Sequence, residues 1–353
     1  MISSQLTLLV LFIFFHIYHS YDVAVCISGQ TARWLPEQFY NGIIQANPGH
    51  VFHLFFNLQY TPSKDLSSVF TTNSLLSFQP TPINKMNQFQ MFDYLHEIYG
   101  NSSNSKIESF QLVPPKSIED WEKTLNSKLD RIYLYTNKQN VILNLFMHHR
   151  RCYEQILFYE EFHPSNKIDF VINTREDIFF FKPISLQYLF PNRLKENLNR
   201  ISYTNITLNS IKQGDCNLVV KDCLKWFGVN MRFQLFSRDH LQYIMGKKIS
   251  YYKYLIKQNQ TVRNPEIFEA ELFKHYRINI CEYSVNDLPL AAIRYVDKNL
   301  SCFIPQEIDG CTPQGFEPFA RSHRCTDVFR DSNKSPLPPK VKSVEKKKGK
   351  SGK

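Results

Sequence analysis

Two familiar kinds of site are missing from this sequence of 353 residues. It has no Cys-x-x-Cys pair and no cluster of histidine and cysteine, which argues against a structural zinc site. It also lacks the glycine-rich loop followed by Lys-Ser or Lys-Thr that defines a P-loop. The C-terminus carries no KDEL-like signal for retention in the endoplasmic reticulum.

The net charge of +10 does not indicate a surface for nucleic acid, and no nucleic-acid partner is expected. Seven lysines against one glutamate lie from Lys340 onward, so this end carries +6 and the rest of the chain about +4 (10 minus 6). Residues 331–353 have no apolar periodicity and are predicted to be a disordered basic tail. Docking of this tail to a polyanion or a membrane is the alternative.

The first 20 residues are predicted to be a signal peptide. Their apolar run, LTLLVLFIFFHIY, has 13 residues, whereas a membrane span needs about 20. Cleavage is expected near Ser20, although Tyr18 and the absence of Lys and Arg before the run leave an uncleaved signal anchor as the alternative. A membrane partner is expected only in that second case. Either way, the protein is expected in the lumen of the endoplasmic reticulum or Golgi, or outside the cell.

The cysteines and glycosylation sequons agree with an oxidising, secretory compartment. The eight cysteines form an even set, which favours a disulfide-bonded glycoprotein. Cys216 and Cys223 flank a short polar loop and are predicted to bridge it. Cys26 and Cys152 are predicted to be buried thiols, because they lie in an apolar strand and a helix. The five sequons begin at Asn101, Asn205, Asn259, Asn299 and Asn333.

Apolar strands alternate with helical patterns along residues 21–330, which are predicted to form a single domain. Strands are expected over 22–28 and 51–57 with a helix over 34–46 between them, and a long helix over 140–162 precedes the strand IDFVINT. Residues 61–85 are predicted to be a loop. This alternation predicts an α/β fold with a mostly parallel central sheet flanked by helices, in which ligands bind at the carboxyl ends of the strands.

Charged residues interrupt the apolar run directly after IDFVINT. Arg175, Glu176 and Asp177 would lie at the carboxyl edge of the sheet, where charged groups need partners. An acidic pair there can bind Mg²⁺ or Mn²⁺ and a diphosphate, with the arginine neutralising the same anion. The alternative is a strand-ending turn closed by an ion pair between Arg175 and Asp177.

Four stretches carry a resemblance to a known group of proteins. They are KIDFVINTREDIFFFKPI, VAVCISGQTAR, HHRRCYEQI and MRFQLFSRDHLQYI with the later NPEIFEAELFKHY, and they lie between residues 22 and 285. The first resembles the degenerate Asp-Xaa-Asp motif, in an Arg-x-Arg-x-Asp strand end, of the largely uncharacterised GT-A type glycosyltransferase-like proteins. The resemblance implies a GT-A-like (Rossmann-like) nucleotide-diphospho-sugar transferase domain, which uses Mn²⁺ or Mg²⁺.

The resemblance also implies roles for individual residues. Asp177 would be the catalytic metal and diphosphate contact, with Glu176 as an alternate metal ligand and Arg175 steadying the diphosphate. Glu266 would be a catalytic base or acceptor contact, unless it only favours a helix dipole. The nucleotide would bind the turn after the first strand, at Ser28, Gly29, Gln30 and Arg33.

This chain departs from the pattern at two positions. Asn173 stands where the group usually has its first arginine, and Met231 stands where an aspartate is common. The expected function is therefore a luminal glycosyltransferase that moves a sugar from a nucleotide-sugar donor to an unknown glycan, protein or lipid acceptor. The alternatives are a sulfotransferase with a phosphoadenosine donor and a secreted, non-catalytic relative that binds glycans.

Overall fold

The computed structural model describes the part of the chain that contains the sheet and most of the predicted site. It covers residues 20–31, 34, 36–59, 69–74, 77–81, 86–128, 139–186, 189, 201–202, 216–221, 231–260, 265–283, 288–295 and 303–305. The predictions for the leader, for Arg33 and for the basic tail lie outside the described residues.

Thirteen strands and six α-helices alternate along these described residues. The strands are β1 (Asp22–Gln30), β2 (Val51–Gln59), β3 (Val69–Ser74), β4 (Ser77–Thr81), β5 (Ser105–Leu112), β6 (Phe170–Arg175), β7 (Ile178–Phe180), β8 (Ile201–Ser202), β9 (Leu218–Lys221), β10 (Phe233–Ser237), β11 (Ile280–Tyr283), β12 (Leu290–Tyr295) and β13 (Phe303–Pro305). The helices are α1 (Pro36–Phe39), α2 (Gln88–Leu95), α3 (Ile118–Leu125), α4 (Gln139–Phe162), α5 (Lys248–Lys257) and α6 (Pro265–His275). Single π-helical turns extend α1 over Tyr40–Ile44 and α2 over His96–Gly100, and another precedes α5 at Gln242–Gly246.

The central sheet has eight strands in the order β5-β2-β1-β6-β10-β9-β11-β8. The pairings β5 with β2, β2 with β1, β1 with β6, and β9 with β11 are parallel. The short β8 and the inner strand β10 run antiparallel to their neighbours. The protein is therefore an α/β fold with a mostly parallel, mixed sheet, as the alternation of strands and helices predicts.

Successive residues of β1 belong to two different hydrophobic cores. Val25 packs in a cluster that includes residues of α1 and α2, whereas Ala24 and Cys26 pack on the opposite face in a cluster that includes residues of α4, α5 and α6. This follows from the alternation of side chains along a strand. Because helices cover both faces, the strand is buried from Val23 to Ser28, which explains its nearly continuous apolar sequence.

Local sequence fixes where two of the helices begin. Asn87 and Ser117 each cap a helix by accepting a hydrogen bond from the backbone N–H three residues later. The side chains of Gln90 and Asp120 accept from the N–H groups of these caps, which completes a capping box at α2 and at α3.

The structure corrects the sequence interpretation of residues 61–85. The strands β3 and β4 pair there as an antiparallel hairpin within the segment that is predicted to be a loop. Ser, Thr and Pro dominate this segment, and its strands lack the apolar alternation that reveals a strand in sequence. No helix among the described residues is long and apolar enough to span a membrane.

Two disulfide bonds lie within the described residues, and they correct the predicted cysteine pairing. Cys26 of β1 bonds to Cys152 of α4, so these residues are not free thiols. Cys216 bonds to Cys281, at the start of β11, rather than to Cys223. The first bond ties the central strand to the longest helix, and the second ties neighbouring strands of the sheet. Pairing across 126 and 65 residues depends on the fold, which local spacing does not reveal.

Peptide mapping under non-reducing conditions is therefore expected to find Cys26 linked to Cys152, and Cys216 linked to Cys281. Each bond closes a long loop, so its removal is expected to lower the free energy of unfolding by about 2–5 kcal/mol. The paired variant Cys26→Ala with Cys152→Ala tests the first bond without leaving a free thiol. A peptide that links Cys216 to Cys223 would contradict this arrangement.

Candidate functional site

The predicted site residues of β1 and β6 lie side by side at the carboxyl edge of the sheet. Ser28 is paired in register with Arg175 across the two parallel strands and with Asn57 on β2. Residues paired in this way project their side chains from the same face of the sheet. The sheet thus brings together the end of β1, the end of β2 and the acidic turn, which is formed by Glu176 and Asp177 directly after β6.

Gly29 lies directly beneath the acidic turn. Its φ of +142° lies in the region that favours glycine, and a Cβ at this position would lie 1.6 Å from Oε2 of Glu176. The backbone N–H of Glu176 also donates to the carbonyl of Ser28 at 3.1 Å. Glycine is needed here for the close approach of the buried Glu176 carboxylate.

Arg175 and Asp177 form a bidentate ion pair. Nε of Arg175 donates to Oδ1 of Asp177 at 3.0 Å, and Nη2 donates to Oδ2 at 2.7 Å. The Asp177 side chain is fully buried, whereas the Arg175 side chain keeps 20% of its surface exposed. Burial acts to lower the pKa of Arg175, but Asp177, Glu176 and Glu266 together raise it above its ordinary value. The guanidinium is therefore a permanent cation.

Glu266, which lies in the C-terminal half of the chain, interacts electrostatically with the Arg175 guanidinium. It is the second residue of α6, and its charge acts on Arg175. Burial is the main cause that raises the pKa of the Glu266 carboxyl, and the negative charge of Glu269 adds to it, while Arg232 and Arg175 oppose it. The structure thus places Glu266 in the electrostatic environment of the acidic turn, about 90 residues away in sequence.

Gln30 is the remaining described residue of the predicted nucleotide turn. It is the last residue of β1, is partly exposed and lies in register with Gln59 at the end of β2. It therefore belongs to the same edge of the sheet as Ser28. Arg33, which would supply a further charge, lies outside the described residues.

Several buried polar atoms on or just after β1, on β2 and β6, and on α4 have no hydrogen-bond partner among the described residues, and sequence reasoning missed most of the residues that carry them. They are Ser28 Oγ, Thr31 Oγ1, Asn57 Oδ1, His148 Nδ1, Gln155 Nε2 and Asn173 Oδ1. Burial lowers the pKa of His148 to about 4, and Arg151 contributes, so this imidazole is neutral near pH 7. A buried polar group without a partner costs about 1–3 kcal/mol. Such a concentration of them indicates a place where water or a polar ligand supplies the missing hydrogen bonds.

A closed ring of buried polar side chains lies on the same face of the sheet. Lys248 of α5 pairs with Glu269 of α6, and its Nζ lies 2.8 Å from Nδ1 of His149 on α4. Gln234 of β10 donates to Glu269 and accepts from Asn173 of β6 at 2.8 Å. The Asn173 amide completes the ring at 3.4 Å from Nε2 of His149.

This ring favours an asparagine over an arginine at position 173. A side chain at this position points toward His149 and Gln234, next to the buried ammonium of Lys248. An arginine here would place a second cation beside Lys248. Burial already lowers the pKa of Lys248, although Glu269 opposes this, and burial with the charge of Lys248 holds the pKa of His149 well below its ordinary value. The amide suits a position that already has one buried cation.

The described residues do not fit a metal centre built by the protein. Both oxygens of Asp177 accept hydrogen bonds from Arg175, and Glu176 is buried against Gly29. No group of three or more His, Cys, Asp or Glu residues within the described part of the chain is arranged to hold a metal ion. The predicted Mn²⁺ or Mg²⁺ stays a prediction.

A cavity of about 620 Å³ lies at the opposite, amino-terminal edge of the sheet. Tyr21, Asp169 and Phe170 line it near the starts of β1 and β6, and Arg238 lines it after β10. None of the predicted site residues borders this cavity. The carboxyl edge remains the better candidate site, because the unpartnered polar atoms and the predicted residues coincide there.

The ring predicts a specific pattern of stability. Lys248→Met leaves the buried Glu269 carboxylate without its counter-charge and is expected to lower the free energy of unfolding by about 3–5 kcal/mol. The double variant Lys248→Met with Glu269→Gln removes both charges and leaves an amide that Gln234 can still contact. It is expected to recover most of the loss, as measured by urea unfolding at pH 7. A single variant within about 0.5 kcal/mol of the wild type would show that the pair is not buried as described.

Comparison with known proteins does not assign the chain to a family. No family model matches it, and no significant match occurs among the curated proteins.

Proposed function

We propose that the protein is a GT-A-like glycosyltransferase of the secretory pathway that moves a sugar from a nucleotide-sugar donor to an acceptor hydroxyl. One observation carries this proposal. At the carboxyl edge of a mostly parallel sheet, an arginine side chain that is 20% exposed lies in register with Ser28, one of several buried, uncharged groups with a polar atom that lacks a partner among the described residues. That combination suits a ligand with one anionic part and one uncharged part rich in hydrogen-bonding groups, as in a nucleoside diphosphate sugar.

Arg175, Ser28 and Asn57 are the residues proposed to bind the donor. Arg175 lies where it can balance the negative charge of the leaving diphosphate. Ser28 and Asn57, which are paired in register, offer a hydroxyl and an amide oxygen to the donor. Both belong to strands buried in the core, so the groups are held rigidly before the ligand binds.

Glu266 fits the role of the base. A carboxyl whose pKa is raised by burial accepts a proton at neutral pH more readily than an exposed glutamate does. As the acceptor oxygen bonds to the anomeric carbon, its proton passes to the Glu266 carboxylate. The bond from that carbon to the diphosphate oxygen breaks, and the electron pair leaves with the diphosphate.

The Arg175–Asp177 pair favours one competing candidate, the non-catalytic relative that binds glycans. Both oxygens of Asp177 accept hydrogen bonds from Arg175, and such a pair stabilises the fold whether or not the protein is an enzyme. A glycan-binding protein would need the polar edge of the sheet but no nucleotide. The two candidates therefore differ in whether a nucleotide is recognised.

Nucleotide recognition can be tested by thermal unfolding of the purified, disulfide-bonded protein with a panel of nucleotide sugars. A ligand that binds only the folded state at 100 times its Kd stabilises it by about 2.7 kcal/mol. At least one nucleotide sugar is expected to raise the melting temperature by several degrees, and Glu266→Gln is expected to keep this shift while losing transfer of the sugar.

The same screen separates the alternatives. A shift with phosphoadenosine phosphosulfate alone would favour a sulfotransferase. A shift with free oligosaccharides but with no nucleotide would favour the glycan-binding relative, and either result would contradict the transferase proposal.

A further inference from the structure

The ion pair at the acidic turn leads to a more specific inference, which rests on the proposed function. We propose that Asp177 holds the Arg175 guanidinium along one edge so that its other edge, together with Ser28, binds the donor diphosphate without a metal ion. Asp177 is then a positioning residue, and Arg175 supplies the positive charge that the resemblance assigns to Mn²⁺ or Mg²⁺.

The hydrogen bonds of Arg175 leave donors for a ligand. A guanidinium has five N–H donors in a planar fork. One on Nε and one on Nη2 are directed at Asp177. No described residue accepts from the other three, and 20% of the side chain is exposed although Asp177 is completely buried. The two bonds to Asp177 fix the plane of the fork, so little side-chain entropy is lost when an oxyanion binds.

Ser28 provides independent evidence for a ligand at this position. Its side chain is completely buried, and its hydroxyl has no hydrogen-bond partner in the described part of the chain. It lies in register with Arg175 on the neighbouring strand, on the same face of the sheet. We therefore assign this hydroxyl to the same oxyanion that the guanidinium binds. Thr31, three residues further on, carries a second buried hydroxyl without a partner.

The surrounding carboxylates decide how strongly an anion binds. Among the described residues, the charges of Asp177, Glu176 and Glu266 act on Arg175, and the charges of Arg232 and Glu269 act on Glu266. The charge of Asp177 is already matched by its ion pair. A neutral residue at 266 removes one of these carboxylates and is therefore expected to strengthen anion binding.

A matched control exists at the other edge of the same sheet. Arg238 makes a bidentate pair with Glu160, with Nε within 2.8 and 2.9 Å of the two carboxylate oxygens. Its side chain is 27% exposed, close to the 20% of Arg175. Arg238→Lys therefore removes the same kind of bidentate guanidinium–carboxylate pair, from a side chain of similar exposure that lies away from the candidate site.

The test measures binding of inorganic pyrophosphate by calorimetry, in EDTA and again with excess Mg²⁺. Wild type is expected to bind with Kd values within twofold of each other under the two conditions. Arg175→Lys keeps the charge but loses the fork, and it is expected to bind at least tenfold more weakly in EDTA. The double variant Arg175→Gln with Asp177→Asn keeps a neutral, hydrogen-bonded pair and is expected to show no binding. Arg238→Lys is expected to bind as wild type does, and Glu266→Gln more tightly.

Four results would overturn the inference. Binding that occurs only with Mg²⁺ would return Asp177 to the role of a metal ligand and leave the transferase proposal standing. An equal loss in Arg238→Lys would show attraction by general charge. Weaker binding in Glu266→Gln would contradict the charge arrangement. A complete absence of binding would refute the oxyanion site itself, while the nucleotide-sugar screen would still decide the transferase proposal separately.

Discussion

The buried ion pair between Lys248 and Glu269 is the interaction on which the candidate site depends most. Two charges removed from water are tolerated only when other polar groups satisfy their remaining donors and acceptors. Here the groups come from α4, β6 and β10, so one ion pair holds three helices against two strands of the sheet. The ring includes Asn173, two residues before Arg175, and Glu269, one helical turn after Glu266. It thereby fixes the two elements that carry the charged residues of the site.

The sequence predicts the outline of the fold because that outline depends on local pattern. The apolar run at β1 and the amphipathic run at α4 are readable from residue spacing alone. The placement of Arg175 at the carboxyl edge then follows from the general geometry of parallel sheets. Gly29 is likewise recognisable as a special position. The reason for it, the approach of Glu176, is visible only in three dimensions.

The parts that sequence does not predict are those that join distant segments. Cys26 and Cys152 are each plausible as buried thiols until the fold brings α4 over β1. Asn57 and Gln155 have no motif, and each becomes notable only because it carries a buried polar atom that lacks a partner among the described residues. Lys248 lies at the start of a helix, where sequence suggests an exposed lysine, yet its side chain is completely buried. Propensity is overridden in such places by tertiary contacts.

The central claim is that ligand binds at the carboxyl edge of the sheet, around Arg175, and not in the cavity at the other edge. Amide hydrogen exchange of the whole protein tests this claim most directly, with and without the nucleotide sugar that stabilises it most. Exchange is predicted to slow at residues 28–31, at 175–177 and in the first turn of α6. Slower exchange confined to residues 167–170 and 237–239, which line the opposite cavity, would contradict the account.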